Sequence, residues 1–164
     1  MQTSEVSGQG GGGQMSEVRS QEADSRARVV AEARKWIRTP YHHGGDVRGV
    51  GVDCAMLLVR VYVDLGLLPW FDPRPYPRDW HLHRSEERYL GFILDRARAV
   101  EEPEPGDIAI WRFGRTFSHA GIVSAWPRVI HAYARSRCVE ECDASVAGEL
   151  AKRPRAFFSL WSAA

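Results

Sequence analysis

The chain has 164 residues and a mass of 18.5 kDa, enough for one domain with a short tail. Its hydrophobic fraction of 44%, charged fraction of 26% and net charge of +1 are ordinary for a globular protein and leave no basic excess to attract nucleic acid. Lys35 and Lys152 are the two lysines among 22 cationic residues, an arginine bias offset by 21 acids.

Residues 1–23 are polar and glycine-rich (Gly8, Gly10 to Gly13), with too little apolar surface to bury, and are expected to be disordered. Residues 1–18 carry neither a basic region nor an apolar core, so no secretory leader is expected, and Met15 is a second possible start. No apolar run approaches the roughly 18 residues of a membrane span. These features predict synthesis in the cytoplasm without membrane insertion; action outside it would need lysis or a virus particle.

The folded domain is expected over 24–164. Asp24–Ser25 is a helix cap, and Val29, Val30, Ala33, Trp36 and Ile37 follow at helical spacing until Thr39–Pro40. Residues 41–53 form a loop containing Gly44, Gly45, Gly49 and Gly51. A second helix over 54–65 has Asp53 as its cap, Leu57, Leu58, Val61, Tyr62 and Leu65 on its buried face, and Gly66 and Pro69 at its end. Residues 69–83 hold Pro69, Pro73, Pro75 and Pro77 among aromatic residues, a stiff extended loop. A third helix is expected over 84–97. The periodicity then becomes strand-like over 107–112, 119–124, 128–133, 137–141 and 156–161, with a short helix at 145–150. Helices first and a meander of about five strands second make an α+β domain.

Cys54 is the most informative residue. It opens a helix behind a glycine-rich loop, and the positive end of a helix favours thiolate over thiol. A cysteine on a helix is more often a small buried apolar residue. A nucleophilic cysteine needs a base, and the base an orienting group. His119 and His131, on consecutive strands, supply both if they share a face, which an odd loop of Ala125–Trp126–Pro127 would allow. Metal binding competes through His42–His43, His81 with His83, and Cys138 with Cys142, but none has the usual zinc spacing. On a strand Cys138 and Cys142 stand roughly 13 Å apart, too far for a disulfide, so a reduced state is expected.

The stretch Thr39–Pro40–Tyr41, Gly44–Gly45 and Gly51–Val52–Asp53–Cys54 resembles the N-terminal motif of the NlpC family. Pro105–Gly106–Asp107–Ile108–Ala109, Ser118–His119–Ala120–Gly121–Ile122–Val123 and Val129–Ile130–His131–Ala132 resemble three further blocks of that family, in register from about residue 27 to 161. These are papain-like cysteine peptidases that cut peptidoglycan stem peptides. The resemblance implies a papain-like fold, Cys54 as nucleophile, His119 as base and His131 as the residue that orients it. It also implies Tyr41 at the cleft and oxyanion, and makes Asp53 the residue ahead of the nucleophile, read here as a cap. No cofactor and no metal are implied, and the partner is a peptidoglycan peptide. Arg112 or Arg115 could meet substrate carboxylates.

Ala55–Met56 replaces the Ser-Gly that often follows the family's cysteine, and the proline-rich loop is unlike the short bacterial hydrolases. Both resemble the subgroup found in phage tails and gene-transfer particles, which implies delivery to the cell wall in a virus-like particle and tail-tip proteins as partners. Two alternatives remain open: a structural tail-assembly protein with little turnover, and an amidase or acyltransferase on the same Cys–His fold.

Overall fold

The computed structural model describes residues 11–76, 91 and 95–161. Helix α1 (Gly11–Arg34) begins at Gly11, not near Asp24. Residues 13–21 are exposed. They extend a helix whose docked part carries the nucleus, so that each further turn costs little. The expected tail is therefore helical over 11–23. Docking starts at Arg26 and continues through the buried Val29, Val30 and Ala33.

Helix α2 (Cys54–Asp64) starts as the sequence predicts. Asp53 is extended (φ −107°, ψ 178°), and its carboxylate accepts the Met56 N–H at 2.9 Å. The helix ends at Gly66, whose φ of 72° lets its N–H reach the Val63 carbonyl while Leu67 N–H reaches that of Tyr62, both at 2.9 Å. Between these caps nearly every side chain is buried, from Cys54 to Val59 and again at Val61 and Tyr62, because α2 lies between α1 and a sheet.

A short pair, β1 (Asp46–Val47) with β2 (Gly51–Val52), lies within the expected 41–53 loop. The main sheet contains β3 (Arg98–Val100), β4 (Ile108–Phe113), β5 (Thr116–Ala125), β6 (Arg128–Tyr133), β7 (Cys138–Asp143) and β8 (Arg155–Ser159). Its order is β3-β8-β4-β5-β6-β7, and every neighbouring pair is antiparallel. The sheet therefore has six strands rather than about five; β3, three residues long, carries too little pattern to recognise. The expected 84–97 helix falls almost wholly outside the described residues.

One face of the sheet, with Ile108, Ile110, Ala120, Ile122, Ile130, Ala132, Val139 and Phe158, packs on α1 and α2. A smaller core of Ala109, Trp111, Val123, Val129, Ala144 and Leu150 covers the other face, with Leu150 supplied by α3 (Gly148–Lys152). Among the described residues no helix is long and apolar enough to cross a membrane.

The Pro-Gly-Asp block ties α1 to the sheet. Gly106 has a φ of 88°, and a Cβ there would stand 3.0 Å from the Trp161 ring and 3.3 Å from the Arg26 backbone, so glycine is required. The buried Asp107 accepts from the buried Arg26 at 2.8 Å, and the guanidinium lies 4.1 Å above the Trp161 ring. Removing one partner of such a pair strands the other. Asp107→Ala should therefore lose about 3 kcal/mol of unfolding free energy in urea titrations; a loss below about 1 kcal/mol would show that Arg26 is satisfied by Glu22 and Glu104 alone.

Candidate active site

The Asp53 carboxylate organises the start of α2. Besides capping Met56 it accepts the Gly44 N–H at 2.6 Å and the Tyr76 hydroxyl at 2.7 Å, and it is 2% exposed. His43 Nε2 lies 2.9 Å from the Tyr76 carbonyl oxygen, and Arg74 donates to the Gly44 carbonyl at 2.9 Å. Residues 72–76 of the proline-rich segment are thus docked against the 42–45 loop. Its oxygens thus cap α2 and tether both the Gly44 turn and Tyr76. Tyr41, half-buried, bridges to Val52 in parallel and donates its N–H to the Arg137 carbonyl at 2.8 Å, at the same end of α2.

Cys54 is 5% exposed, and its thiol points to the Ser118 carbonyl at 4.0 Å. The N–H groups of Ala120, Ala55 and Cys54 also act on the sulfur. The first turn of α2 therefore meets β5 on both sides of His119. In this resting arrangement the thiol is directed to a carbonyl and not to an imidazole nitrogen.

His119 and His131 are buried, and His119 Nε2 lies 2.8 Å from His131 Nδ1. They share a face for a reason only partly foreseen. The β5–β6 turn has two residues, Trp126–Pro127, since Ala125 faces Arg128. A regular ladder from that turn would put the two histidines on opposite faces. An extra residue between Val123 and Ala125 shifts the register, so that Val123 faces Val129 and Ile122 faces Ile130. Continued, this register puts His131 opposite Gly121 and His119 opposite Tyr133, as diagonal neighbours. A Cβ on Gly121 would lie 3.0 Å from both His131 Cβ and the Ile130 carbonyl, so the glycine makes room for His131. Trp111, Phe113 and Tyr133 surround the His119 ring at centroid distances of 5.7, 5.8 and 5.0 Å.

Two neighbours of His131 were not singled out as such by the sequence. Its Nε2 lies 3.2 Å from Cys142 Sγ and 3.5 Å from a Glu140 carboxylate oxygen. The signal was available: Glu140 and Cys142 are two apart on the strand after His131 and so share a face. All three cysteines are free thiols. Of the other candidates, His42 is exposed, His81 and His83 lie outside the described residues, and Arg112 and Arg115 are exposed near the β4–β5 turn.

Burial dominates the electrostatics. Desolvation, then the neighbouring Asp53 charge, pushes the Cys54 thiol up to about 12 against the pull of the backbone N–H groups. The helix-start donors that favour a thiolate are in place, and loss of solvent acts against them. Burial brings His131 down to about 4, and burial with the adjoining His131 holds His119 well below the usual imidazole range. Burial thus disfavours the charged form of all three groups.

The α+β architecture is papain-like, of the NlpC type. The structure is similar to the NlpC/p60 domain of the peptidoglycan hydrolase SagA, at 22% identity with a TM-score of 0.56, over 80% of this chain and 96% of that one. It is similar to the peptidoglycan hydrolase RipB from Mycobacterium tuberculosis, at 18% identity with a TM-score of 0.60, over 94% of this chain and 74% of that one. It also resembles NlpC2 from Trichomonas vaginalis, at 16% identity with a TM-score of 0.62; 85% of this chain spans 47% of that protein. No family model and no curated protein sequence matches the chain.

Two pH dependences follow. Both histidine pKa values are lowered on folding, so their contribution to stability is whole above the unfolded value near 6.5 and is lost as pH falls toward 4. His131 alone accounts for at most roughly 3 kcal/mol of that loss. Urea midpoints should fall from pH 7 to 4.5, less steeply in His131→Gln; equal slopes would show that His131 is not held neutral. Iodoacetamide alkylation of Cys54 should rise about tenfold per pH unit between roughly 7 and 10. A rate that levels off below pH 7 would mean a thiolate at rest.

Proposed function

We propose that this chain is a cysteine peptidase that hydrolyses peptidoglycan stem peptides through Cys54, His119 and His131. The observation that carries the reading is the meeting of the α2 start with β5 at His119, whose Nε2 is held by His131 at 2.8 Å. The likeness in fold to peptidoglycan hydrolases supports the choice of substrate.

His131 occupies Nε2 of His119, so Nδ1 is the nitrogen that acts on the thiol. The sulfur turns from the Ser118 carbonyl toward it, gives up its proton as it attacks the peptide carbonyl, and forms a thioester. Asp53 caps Met56 with its side chain and Leu57 with its carbonyl, which leaves the Cys54 and Ala55 N–H groups beside the sulfur to meet the oxyanion. Tyr41 lines this end of the cleft. His119 returns the proton to the leaving amine, and water, deprotonated by the same imidazole, hydrolyses the thioester. Proton transfer accompanies attack, because the resting pair is neutral.

A particle-borne role is part of the proposal. It is supported by the phage-type resemblance of Ala55–Met56 and of the proline-rich segment, whose residues 72–76 bond to Asp53 and the 42–45 loop. An amidase or acyltransferase would use the same residues on another substrate, and an assembly protein would leave peptidoglycan uncut.

Purified peptidoglycan incubated with the protein and analysed by mass spectrometry should yield fragments cut within the stem peptide. Cys54→Ala should fold and release none, and His119→Ala should lose about 10²–10⁴-fold in turnover. His131→Ala should lose less, with partial recovery in His131→Gln, whose amide can accept the ring N–H. Intact peptidoglycan after incubation with the parent would favour the assembly role; a parent-like His131→Ala would leave only a Cys54–His119 pair.

A further inference from the structure

The outer end of the histidine chain brings together three donor atoms of the kind that bind metals. Cys142 Sγ, a Glu140 carboxylate oxygen and His131 Nε2 all lie within 4.8 Å of one another. The strand register causes this: His131 faces Glu140 and Val129 faces Cys142, so Glu140 and Cys142 flank the imidazole on one face. Zinc–nitrogen and zinc–sulfur bonds of about 2.05 and 2.3 Å at tetrahedral angles separate N from S by roughly 3.5 Å, and N from a carboxylate O by roughly 3.4 Å. The observed separations from Nε2, 3.2 and 3.5 Å, are within a few tenths of an ångström of these. All three residues line a solvent-open cleft of about 320 Å³, with room for water as a fourth ligand. Arg135, in the wall of that cleft, is 3.5 Å from the Glu149 carboxylate, so its charge is offset.

We propose that His131 Nε2, Cys142 Sγ and the Glu140 carboxylate form a binding site for a zinc-like divalent cation, and that filling it switches off the base. The second part rests on the catalytic reading above. For His119 to accept the thiol proton on Nδ1, its own proton must sit on Nε2 and be donated to His131 Nδ1. The proton of His131 then lies on Nε2, facing Glu140 and Cys142. A cation on that nitrogen forces the proton of neutral His131 to Nδ1, where it is donated to His119 Nε2. His119 must in turn carry its proton on Nδ1 and can no longer accept one from Cys54. Both rings stay neutral, with one proton each moved by exchange with solvent. The Cys142 thiol proton leaves to solvent as the sulfur–metal bond forms.

The test is titration of the full chain with Co²⁺, read by the near-ultraviolet thiolate-to-cobalt charge-transfer band, and of peptidase activity with Zn²⁺. The band should saturate at one equivalent and be displaced by Zn²⁺. It should persist in Cys54→Ala, need more metal in Glu140→Gln and vanish in Cys142→Ala. No band, or a band that survives Cys142→Ala, overturns the site. Zn²⁺ should lower parent turnover on a defined stem peptide by roughly 10²-fold, the scale of general-base catalysis. The ratio of turnover with and without Zn²⁺ should approach one in Cys142→Ala. If that variant is inhibited as strongly as the parent, the metal acts at Cys54 directly and the switch is wrong. A parent that binds Co²⁺ but cuts no peptide keeps the site and overturns both the switch and the peptidase reading.

Discussion

The pairing of β5 with β6 is the constraint on which the site depends. A two-residue turn would by itself send His119 and His131 to opposite faces, and one extra residue before Ala125 restores them to the same one. Ser124, in that irregular stretch, donates to Glu141 at 2.7 Å, and Glu141 also pairs with Arg34 of α1 at 3.1 Å. The irregularity is thereby bonded both to β7 and to the helix that covers the sheet. From this register follow the 2.8 Å contact between the imidazoles, the need for glycine at position 121, and the approach of Glu140 and Cys142 to the far nitrogen of His131.

Asp53 performs the corresponding task for Cys54. A single carboxylate caps α2, fastens the Gly44 turn and holds Tyr76, so the position of Cys54 and that of the proline-rich segment are fixed together. The same carboxylate disfavours a thiolate one residue away, and burial disfavours it further. At this helix start, burial and the Asp53 charge act on the sulfur against the backbone N–H groups. In the proposed mechanism reactivity arises when substrate supplies the carbonyl on which negative charge develops beside the helix-start N–H groups.

What could be read from the sequence was what local chemistry dictates. The Asp53 cap, the glycine stop at 66 and most of the strands of the meander follow from residue type and spacing, and the gathering of motifs around one helix start follows from the family resemblance. The Pro-Gly-Asp block was legible as a motif, but its reason was not: Gly106 and Asp107 answer to Arg26 and Trp161, residues distant in sequence. Two features belong to the whole molecule rather than to local sequence. The thiol pKa depends on how completely the fold removes water, which no helix cap reveals. The start of α1 depends on propagation from a docked segment, which composition alone underestimates. The shared face of the histidines was expected from an odd loop, yet the odd residue lies in a bulge; parity was legible and its location was not.

In the proposed site a neutral chain runs from Cys54 through His119 and His131, with both imidazole protons on Nε2. Long-range ¹H–¹⁵N correlation spectra of the uniformly labelled, metal-free protein at pH 7 report this directly, since protonated and unprotonated ring nitrogens resonate far apart. The account predicts that His119 and His131 each show one protonated Nε2 and one unprotonated Nδ1, and that the pattern persists well below pH 6.5. An imidazolium signature at His119 at neutral pH, or protons on Nδ1 of both rings, would contradict it.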